Sequence, residues 1–243
     1  MSLPCRLTCV LPLVMTMKLR LLIAFALCTG VPGTLSAQML EIIPARVLMD
    51  ETAAIRVTGL QPQKHITINA SLIDGAEEPW TSTAEFAADE GGVVDVSKQA
   101  PVKGSYHDVS AMGLIWSMMP AAKHVSVYRA PHGFATQTIS FTVMADGKQI
   151  ASGKLEQLGI REGVQQIRLK GMLHGVLFLP ATPGQHPGVL VVGGSEGGAP
   201  MAKAAWLASH GYAALASAYF HYEELPANLS NIPLEYLDRK SNV

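Results

Sequence analysis

The sequence predicts a two-domain α+β fold, in which a β-sandwich is followed by the beginning of an α/β domain. Short alternating segments separated by turn signals fill residues 40–147, which is typical of a sandwich. A strand, a glycine-rich loop, a helix and another strand follow between residues 188 and 219, the order of a βαβ unit. The 243 residues are 49% hydrophobic and 15% charged, which excludes a disordered chain. The formal net charge of −1 gives no basis for nucleic-acid binding.

The first element is a segment with the pattern of a secretory signal peptide. Residues 19–28 form an apolar run with Lys18 and Arg20 at its start, and positions 34–37, which read TLSA, include three small residues. A basic start, a short apolar run and a small-residue cleavage site together predict a signal peptide over residues 1–37. The run is shorter than the roughly 20 residues that a membrane span needs. We therefore expect an exported protein without a transmembrane span in the mature chain.

The predicted leader contains every cysteine of the chain. Met17 is the better start, since a basic residue and the apolar run follow it directly. A buried N-terminal helix is the alternative, and Leu27 disfavours a lipoprotein site at Cys28. Because Cys5 and Cys9 also lie before the cleavage site, the mature chain would have no disulfide or thiolate metal site. This composition favours a bacterial periplasm, or secretion, as the destination.

Alternating apolar and polar residues predict the strands of the first domain, which we place at residues 38–155. The turns between them carry glycine, proline or aspartate, as at Asp74-Gly75 and Asp146-Gly147. The predicted strands are residues 54–58, 65–72, 80–86, 93–96, 124–128 and 136–143.

The bulky segment from Met112 to Pro120 does not follow this alternation. It reads MGLIWSMMP and is apolar over almost its whole length. It is interpreted as core or as a contact between domains, and a surface for a hydrophobic ligand is the alternative.

The pattern changes in the second domain, which we place at residues 156–243. Residues 188–192 are continuously apolar, as expected of a strand buried on both faces. The predicted elements are strands at 174–180, 188–192 and 212–219, and a helix from Met201 to His210 that Gly211 ends. So few strands would leave edges and one apolar sheet face open. We expect that this domain is incomplete, or that a partner completes the sheet.

The loop between the second predicted strand and the helix contains a G-x-S-x-G pattern at residues 193–197. Such a pattern between a strand and a helix is typical of a serine hydrolase, with Ser195 as nucleophile. However, the histidines that follow are His210 and His221, and Glu196 is the one acid between Ser195 and His221. A Ser–acid–His triad in the order of the hydrolase fold cannot be assembled from these residues.

A glycine-rich loop at this place can instead supply backbone N–H donors to an oxyanion. The donor loop comprises Gly193, Gly194, Ser195, Gly197 and Gly198. A weak candidate nucleophile at Ser195 and a tight turn without function are the remaining interpretations.

His221 is a further candidate, because it follows a strand end where sites of α/β proteins collect. A half-exposed aromatic loop is the alternative. The histidines show no metal-ligand spacing, and the chain has neither a P-loop nor a G-x-G-x-x-G after a strand. We expect no metal and no cofactor.

Several stretches together resemble the acyl-CoA thioesterase/bile acid-CoA:amino acid N-acyltransferase family. They are residues 54–62, 80–95, 104–120, 193–198, 211–213, 218–220 and 234–236, and they follow one another in the order of that family. The resemblance implies an immunoglobulin-like β-sandwich followed by an incomplete α/β-hydrolase domain. It also implies an acyl thioester or ester substrate, acyl-CoA by family.

The resemblance assigns the glycine-rich loop to the oxyanion side of the site. In the family, the Ser or Cys nucleophile comes after the position of residues 234–236, and the acid and histidine follow it. No triad residue is therefore assignable in this chain. An exported member would be separated from a CoA substrate, which is cytoplasmic. A non-catalytic exported module that binds an acyl chain or a partner is the alternative function, and a non-functional truncation product is another.

Overall fold

Strands make up most of the regular secondary structure in the described residues, with few helices, and the chain belongs to the α+β class. The computed structural model describes residues 37–122, 124, 127–171, 173–232 and 236. Of the predicted signal peptide, all but Ala37 lies outside the described residues. Parts of the predicted strand 124–128 and of the stretch 234–236 also lie outside them.

The strands range from two to eleven residues in length. They are β1 (Met39–Ile43), β2 (Arg46–Leu48), β3 (Ala54–Thr58), β4 (His65–Ile73), β5 (Pro79–Ala87), β6 (Val94–Asp95), β7 (Lys103–Gly104), β8 (Met119–Pro120), β9 (Gln137–Ala145), β10 (Lys148–Leu158), β11 (Gln165–Leu169), β12 (His174–Leu179), β13 (Gly188–Val192) and β14 (Ala213–Ala218). The helices are α1 (Gly113–Trp116) and α2 (Met201–Ser209), with a 3-10 turn at His132–Phe134.

Two sheets share one hydrophobic core in the first part of the chain. The smaller has the order β1-β3-β6, and the larger has the order β2-β10-β9-β4-β5-β7, with β8 paired to β5. Every second side chain of β4, β5 and β9 is buried, which is the period-2 pattern of strands with one face on a core. Ile55 and Val57 of the smaller sheet belong to the same core cluster as Ile68 and Phe141 of the larger one.

The longest strand, β10, was not among the predicted elements. Lys148, Gly153, Lys154 and Glu156 break its apolar alternation, and its place depends on pairing with β9 and β2. The turn before it was predicted. Asp146-Gly147 joins β9 to β10 with φ values of 49° and 73°, as a two-residue hairpin of type I′ requires.

The segment from Met112 to Pro120 lies partly in the core, as its composition predicts. Leu114 and Met118 are buried in the core, whereas Trp116 is 64% exposed and Met119 67% exposed.

The third sheet has the order β11-β12-β14-β13 and contains the predicted βαβ unit. β13 and β14 pair in parallel, and α2 connects them. The alanines of α2 pack on one sheet face against Val176, Phe178 and Ala214. Gly211, at φ 96°, ends the helix, with Gly211 N–H donating to Ala208 O and Tyr212 N–H to Leu207 O. These two bonds are a Schellman motif, which confirms the predicted helix end.

The expectation that residues 188–192 are buried on both faces was wrong. β13 lies at the edge of its sheet, and Leu190 is 42% and Val192 48% exposed. Val191 packs on the α2 side, whereas Leu190 and Val192 point to the opposite face because side chains alternate along a strand. The interior strands of this sheet are β12 and β14, and five of the six residues of β14 are buried.

Candidate functional site

The candidate site lies at the end of the third sheet where the carboxyl ends of the parallel strands β13 and β14 meet. Because these strands are parallel, the segments that follow them meet at the same edge. Residues 193–200 follow β13 and lead to α2, and residues 219–226 follow β14. The glycine-rich pattern and His221 are therefore brought together, as their positions at strand ends predict.

Hydrogen bonds attach the glycine-rich loop to the segment after β14 at several points. The Tyr219 hydroxyl donates to Gly193 O at 2.9 Å. Gly198 N–H donates to Phe220 O at 3.0 Å. Nδ1 of His221 lies 3.1 Å from the carbonyl oxygen of Glu196. The loop is thus held at both ends and in its middle.

Two glycines give the loop its shape. Gly197 and Gly198 have φ values of 71° and 74°, in the left-handed region that other residues rarely adopt. A Cβ added at Gly197 would lie 2.5 Å from His221 Cβ and 3.0 Å from Phe220 O. Close approach of the two segments therefore depends on the missing side chain at Gly197.

Consecutive amides of the loop are left available as donors. Within the described part of the chain, the N–H groups of Gly194, Ser195 and Glu196 donate to no acceptor. Gly197 N–H turns inward to Gly194 O at 3.2 Å. A group of exposed backbone N–H donors held by a fixed loop can bind an oxygen anion.

Ser195 is exposed at the tip of this loop. A nucleophile elbow places its serine on a strained turn that leads directly into a helix. Ser195 is not among the described residues with a positive φ, and α2 begins later, at Met201. In the described residues no hydrogen bond joins Ser195 Oγ to a histidine. A nucleophile–base pair is not assembled around Ser195 in this structure.

A charged cluster at the same sheet edge was missed by the sequence analysis. Glu223 accepts a hydrogen bond from Arg168 Nε at 2.7 Å, and its other oxygen lies 3.3 Å from His174 Nδ1. The bonds from His174 and Arg168 lower the pKa of Glu223. The three residues are far apart in sequence and belong to β11, β12 and the segment after β14, so no local motif identifies them.

The described residues contain no group of three or more His, Cys, Asp or Glu side chains placed to hold a metal ion. None of the described helices is long and apolar enough to cross a membrane.

Comparison with known proteins identifies relatives over most of the chain. The family model for the acyl-CoA thioester hydrolase/BAAT N-terminal region matches residues 50–171. The chain is 34% identical over 208 residues to acyl-coenzyme A amino acid N-acyltransferase 1 of Mus musculus, covering 82% of this chain and 50% of that one. It is 34% identical over 209 residues to bile acid-CoA:amino acid N-acyltransferase of Homo sapiens, covering 82% and 50%.

A thioesterase is similar to nearly the same extent. Acyl-coenzyme A thioesterase 2, mitochondrial, of Homo sapiens is 30% identical over 217 residues, which are 87% of this chain and 45% of the relative. The chain thus spans about half the length of the curated relatives that it matches.

Proposed function

The chain belongs to the acyl-CoA thioesterase/bile acid-CoA:amino acid N-acyltransferase family, and we propose that its residues 193–198 form the oxyanion-binding loop for acyl transfer from a thioester. The observation that carries this proposal is the row of unpaired amides at Gly194, Ser195 and Glu196. A loop held by Tyr219, Phe220 and His221 keeps these donors in place before substrate arrives. Preorganised donors of this kind stabilise charge that develops in the transition state.

The reaction would proceed through an acyl-enzyme. A serine or cysteine nucleophile attacks the thioester carbonyl, and the carbonyl π electrons move onto oxygen, where the loop amides bind the anion. Collapse of this intermediate breaks the C–S bond and releases the thiol. Water or an amine then attacks the acyl-enzyme and releases an acid or an amide. We place the nucleophile, acid and histidine in the part of the family's length that this chain does not span, and assign the oxyanion side of the site to residues 193–198.

The proposed architecture follows the family. Residues 38–155 form an immunoglobulin-like β-sandwich, supported by the two sheets around one core. Residues 156–243 form a partial α/β-hydrolase domain, supported by the parallel β13–α2–β14 unit. Residues 1–37 act as a signal peptide and direct the chain to the periplasm or outside the cell. The proposed substrate is an acyl thioester or ester, and the open edge of β13 is where a completing segment or partner would pair.

A second candidate function is a non-catalytic module that binds an acyl chain. It is supported by an apolar cavity between the strands of the first part of the chain, with Trp80 and Met118 in its wall.

Binding of an anionic mimic of the tetrahedral intermediate tests the loop. In a titration of the isotope-labelled 243-residue chain with dodecylphosphonate, we expect the amide resonances of Gly194, Ser195 and Glu196 to shift together. Dodecanol is the neutral control and should leave them in place. If the phosphonate shifts none of the loop amides, the loop does not bind oxyanions and the proposal is wrong.

Hydrolysis of dodecanoyl-CoA tests the role of Ser195. We expect the 243-residue chain to release thiol no faster than buffer, and Ser195→Ala to change nothing. Turnover that Ser195→Ala abolishes would identify Ser195 as the nucleophile and overturn the assignment of the triad to a missing part.

The intact mass of the protein from its source separates the two candidate functions. A longer species supports the catalytic unit, and a species no longer than this chain supports the binding module.

A further inference from the structure

A small apolar cavity lies within the first part of the chain, away from residues 193–198. Its volume is about 350 Å³, which is in the range of small-ligand sites. Buried Leu72, Trp80 and Met118 form much of its wall, and exposed Trp116 stands at its rim. The Trp116 indole is held there by a hydrogen bond from Nε1 to Ser110 Oγ at 3.0 Å.

One polar side chain in the wall has no partner. Gln157 of β10 is 7% exposed and lines the cavity. Its carboxamide makes no hydrogen bond with any of the described residues. The amide atoms of Gln157 are not among the fully buried side-chain nitrogens and oxygens that lack a partner. They open into the cavity and are free to bond a ligand.

Gln137, the neighbour of Gln157 across the strand pair, is a buried glutamine whose amide does have hydrogen-bond partners. Gln137 lies opposite Gln157 in the β9–β10 ladder and is 4% exposed. Its Oε1 accepts a bond from the Tyr128 hydroxyl at 3.0 Å, and its Nε2 donates to Ile73 O at 3.0 Å. Both residues are more than nine-tenths buried, but Gln157 alone of this pair lines the cavity with a free donor and acceptor.

The charge around the cavity excludes an anionic headgroup. Among the described residues, no charged side chain lines it. Behind Trp80 lies the buried carboxylate of Asp74, which accepts the indole Nε1–H at 3.2 Å. Desolvation opposes the ionised form, but bonds from the Glu78, Arg129 and Ala76 amides and from Trp80 lower the pKa of Asp74. A ligand carboxylate would therefore meet a fixed negative charge and no cation.

We propose that this cavity binds the aliphatic chain of a neutral fatty acid derivative, an ester or an amide, with Gln157 bonded to its carbonyl group. Gln157 Nε2 donates to the ligand carbonyl oxygen, and the apolar wall covers the chain. The indole of Trp116 at the rim covers the portion nearest solvent. This site is separate from residues 193–198, and it gives the second candidate function a location and a ligand class.

Chain-length dependence is the first test. Fluorescence titrations of the 243-residue chain use hexanamide, octanamide and decanamide, with Trp80 and Trp116 as reporters in the wall. Each methylene that enters the cavity should tighten binding about fourfold. Decanoate at pH 8 should bind at least about tenfold more weakly than decanamide, because burying an unpaired carboxylate is unfavourable. Affinity that does not change with chain length, or equal binding of decanoate, overturns the proposal.

Substitution of Gln157 is the second test. Gln157→Leu should weaken decanamide binding about tenfold, because the ligand carbonyl loses its donor. The same variant should bind decane at least as well as the wild-type chain does. Gln149→Leu is the matched control, since Gln149 is an exposed glutamine on the same strand, and it should bind both ligands as the wild type does.

Circular dichroism melting establishes that each variant is folded. If Gln157→Leu does not fold, Gln157→Asn replaces it, since it keeps the amide but withdraws it from the cavity. Unchanged decanamide affinity in the folded variant overturns the role of Gln157. This result is distinguishable from failure of the oxyanion proposal, which is measured at the amides of residues 194–196 with a phosphonate.

Discussion

At Gly197 the glycine-rich loop passes directly against the segment that follows β14. Its φ of 71° is left-handed, and a Cβ would lie 2.5 Å from His221 Cβ. Gly198 has nearly the same φ of 74°, but the nearest atom to its added Cβ is His221 O at 3.9 Å. The two neighbouring positions thus share the backbone requirement and differ in the space available.

We expect Gly197→Ala to destabilise the chain by about 2–4 kcal/mol, because left-handed strain and overpacking act together. Gly198→Ala carries the left-handed strain alone and should cost about 1–2 kcal/mol. Urea unfolding followed by circular dichroism measures both, with equal m-values as the check on two-state behaviour. Equal destabilisation by the two substitutions would show that the loop can move away from His221.

At the scale of elements, local patterns predict the strands whose pairing and burial agree with their alternation. The bounds of β3, β4, β5 and β9 lie within two residues of those expected from their apolar periodicity. The sequence of β10 is too polar to indicate a strand by itself, and its strand conformation depends on pairing with β9 and β2. The apolar run of β13 indicates a strand correctly but gives the wrong burial, since burial depends on what covers each face.

The candidate site likewise contains one feature that the sequence predicts and one that only the fold reveals. The G-x-S-x-G pattern identifies a loop by local spacing, and the structure adds which amides of that loop are unpaired. The cluster of Arg168, His174 and Glu223 depends on strand register, which places β11 and β12 beside the segment after β14. Interactions across 49 and 55 residues leave no signal in a short window. Sequence reasoning therefore finds loops more readily than clusters.

The exposed edge of β13 leads to a prediction about self-association. Leu190 is an exposed apolar residue on an edge strand, which is a template for pairing with another chain. We expect Leu190→Lys to slow the growth of light scattering on warming by about threefold or more, without lowering the unfolding midpoint.

The matched control is Val109→Lys, at an apolar loop residue that is 52% exposed. It adds the same charge away from any sheet edge. Equal slowing by both substitutions would attribute the effect to net charge and not to the edge of β13.

At the scale of the molecule, a polar junction joins the third sheet and its helix to the segment after β2. Arg161 Nε donates to Ser209 O at 2.9 Å, and Arg161 Nη2 lies 2.6 Å from Glu51 Oε1. His210 Nε2 lies 2.7 Å from Asp50 Oδ2. The residue that ends α2 and the turn after β2 are thereby tied to one another.

The junction gives the stability of the chain a dependence on pH. The Leu48 N–H bond lowers the pKa of Glu51, burial raises it, and Arg161 lowers it, with a net decrease from 4.5. A carboxyl group whose pKa is lower in the folded chain than in the unfolded chain stabilises the fold at pH values above the unfolded pKa. This stabilisation is lost as pH falls through the lowered pKa. We expect Glu51→Gln to be less stable than wild type at pH 7, and the gap to close as pH falls below 4.5.

Urea midpoints at several pH values measure that gap. Glu90→Gln, at an exposed turn residue, removes a carboxylate that lies outside the junction and should show no comparable gap. A difference between Glu51→Gln and wild type that persists unchanged at low pH would exclude ionisation of Glu51 as its origin.

The contacts that hold the glycine-rich loop bear on the order in which the chain folds as it is synthesised. Tyr219, Phe220 and His221 lie within 26 residues of their loop partners, and α2 and β14 occupy the interval between them. Closing so short an interval is fast and needs no distant segment. Once residue 226 has left the exit tunnel of the ribosome, every partner named for the loop is also outside the ribosome. The donors can therefore reach their final arrangement early in translation, and any segment emerging later would dock onto a loop already formed.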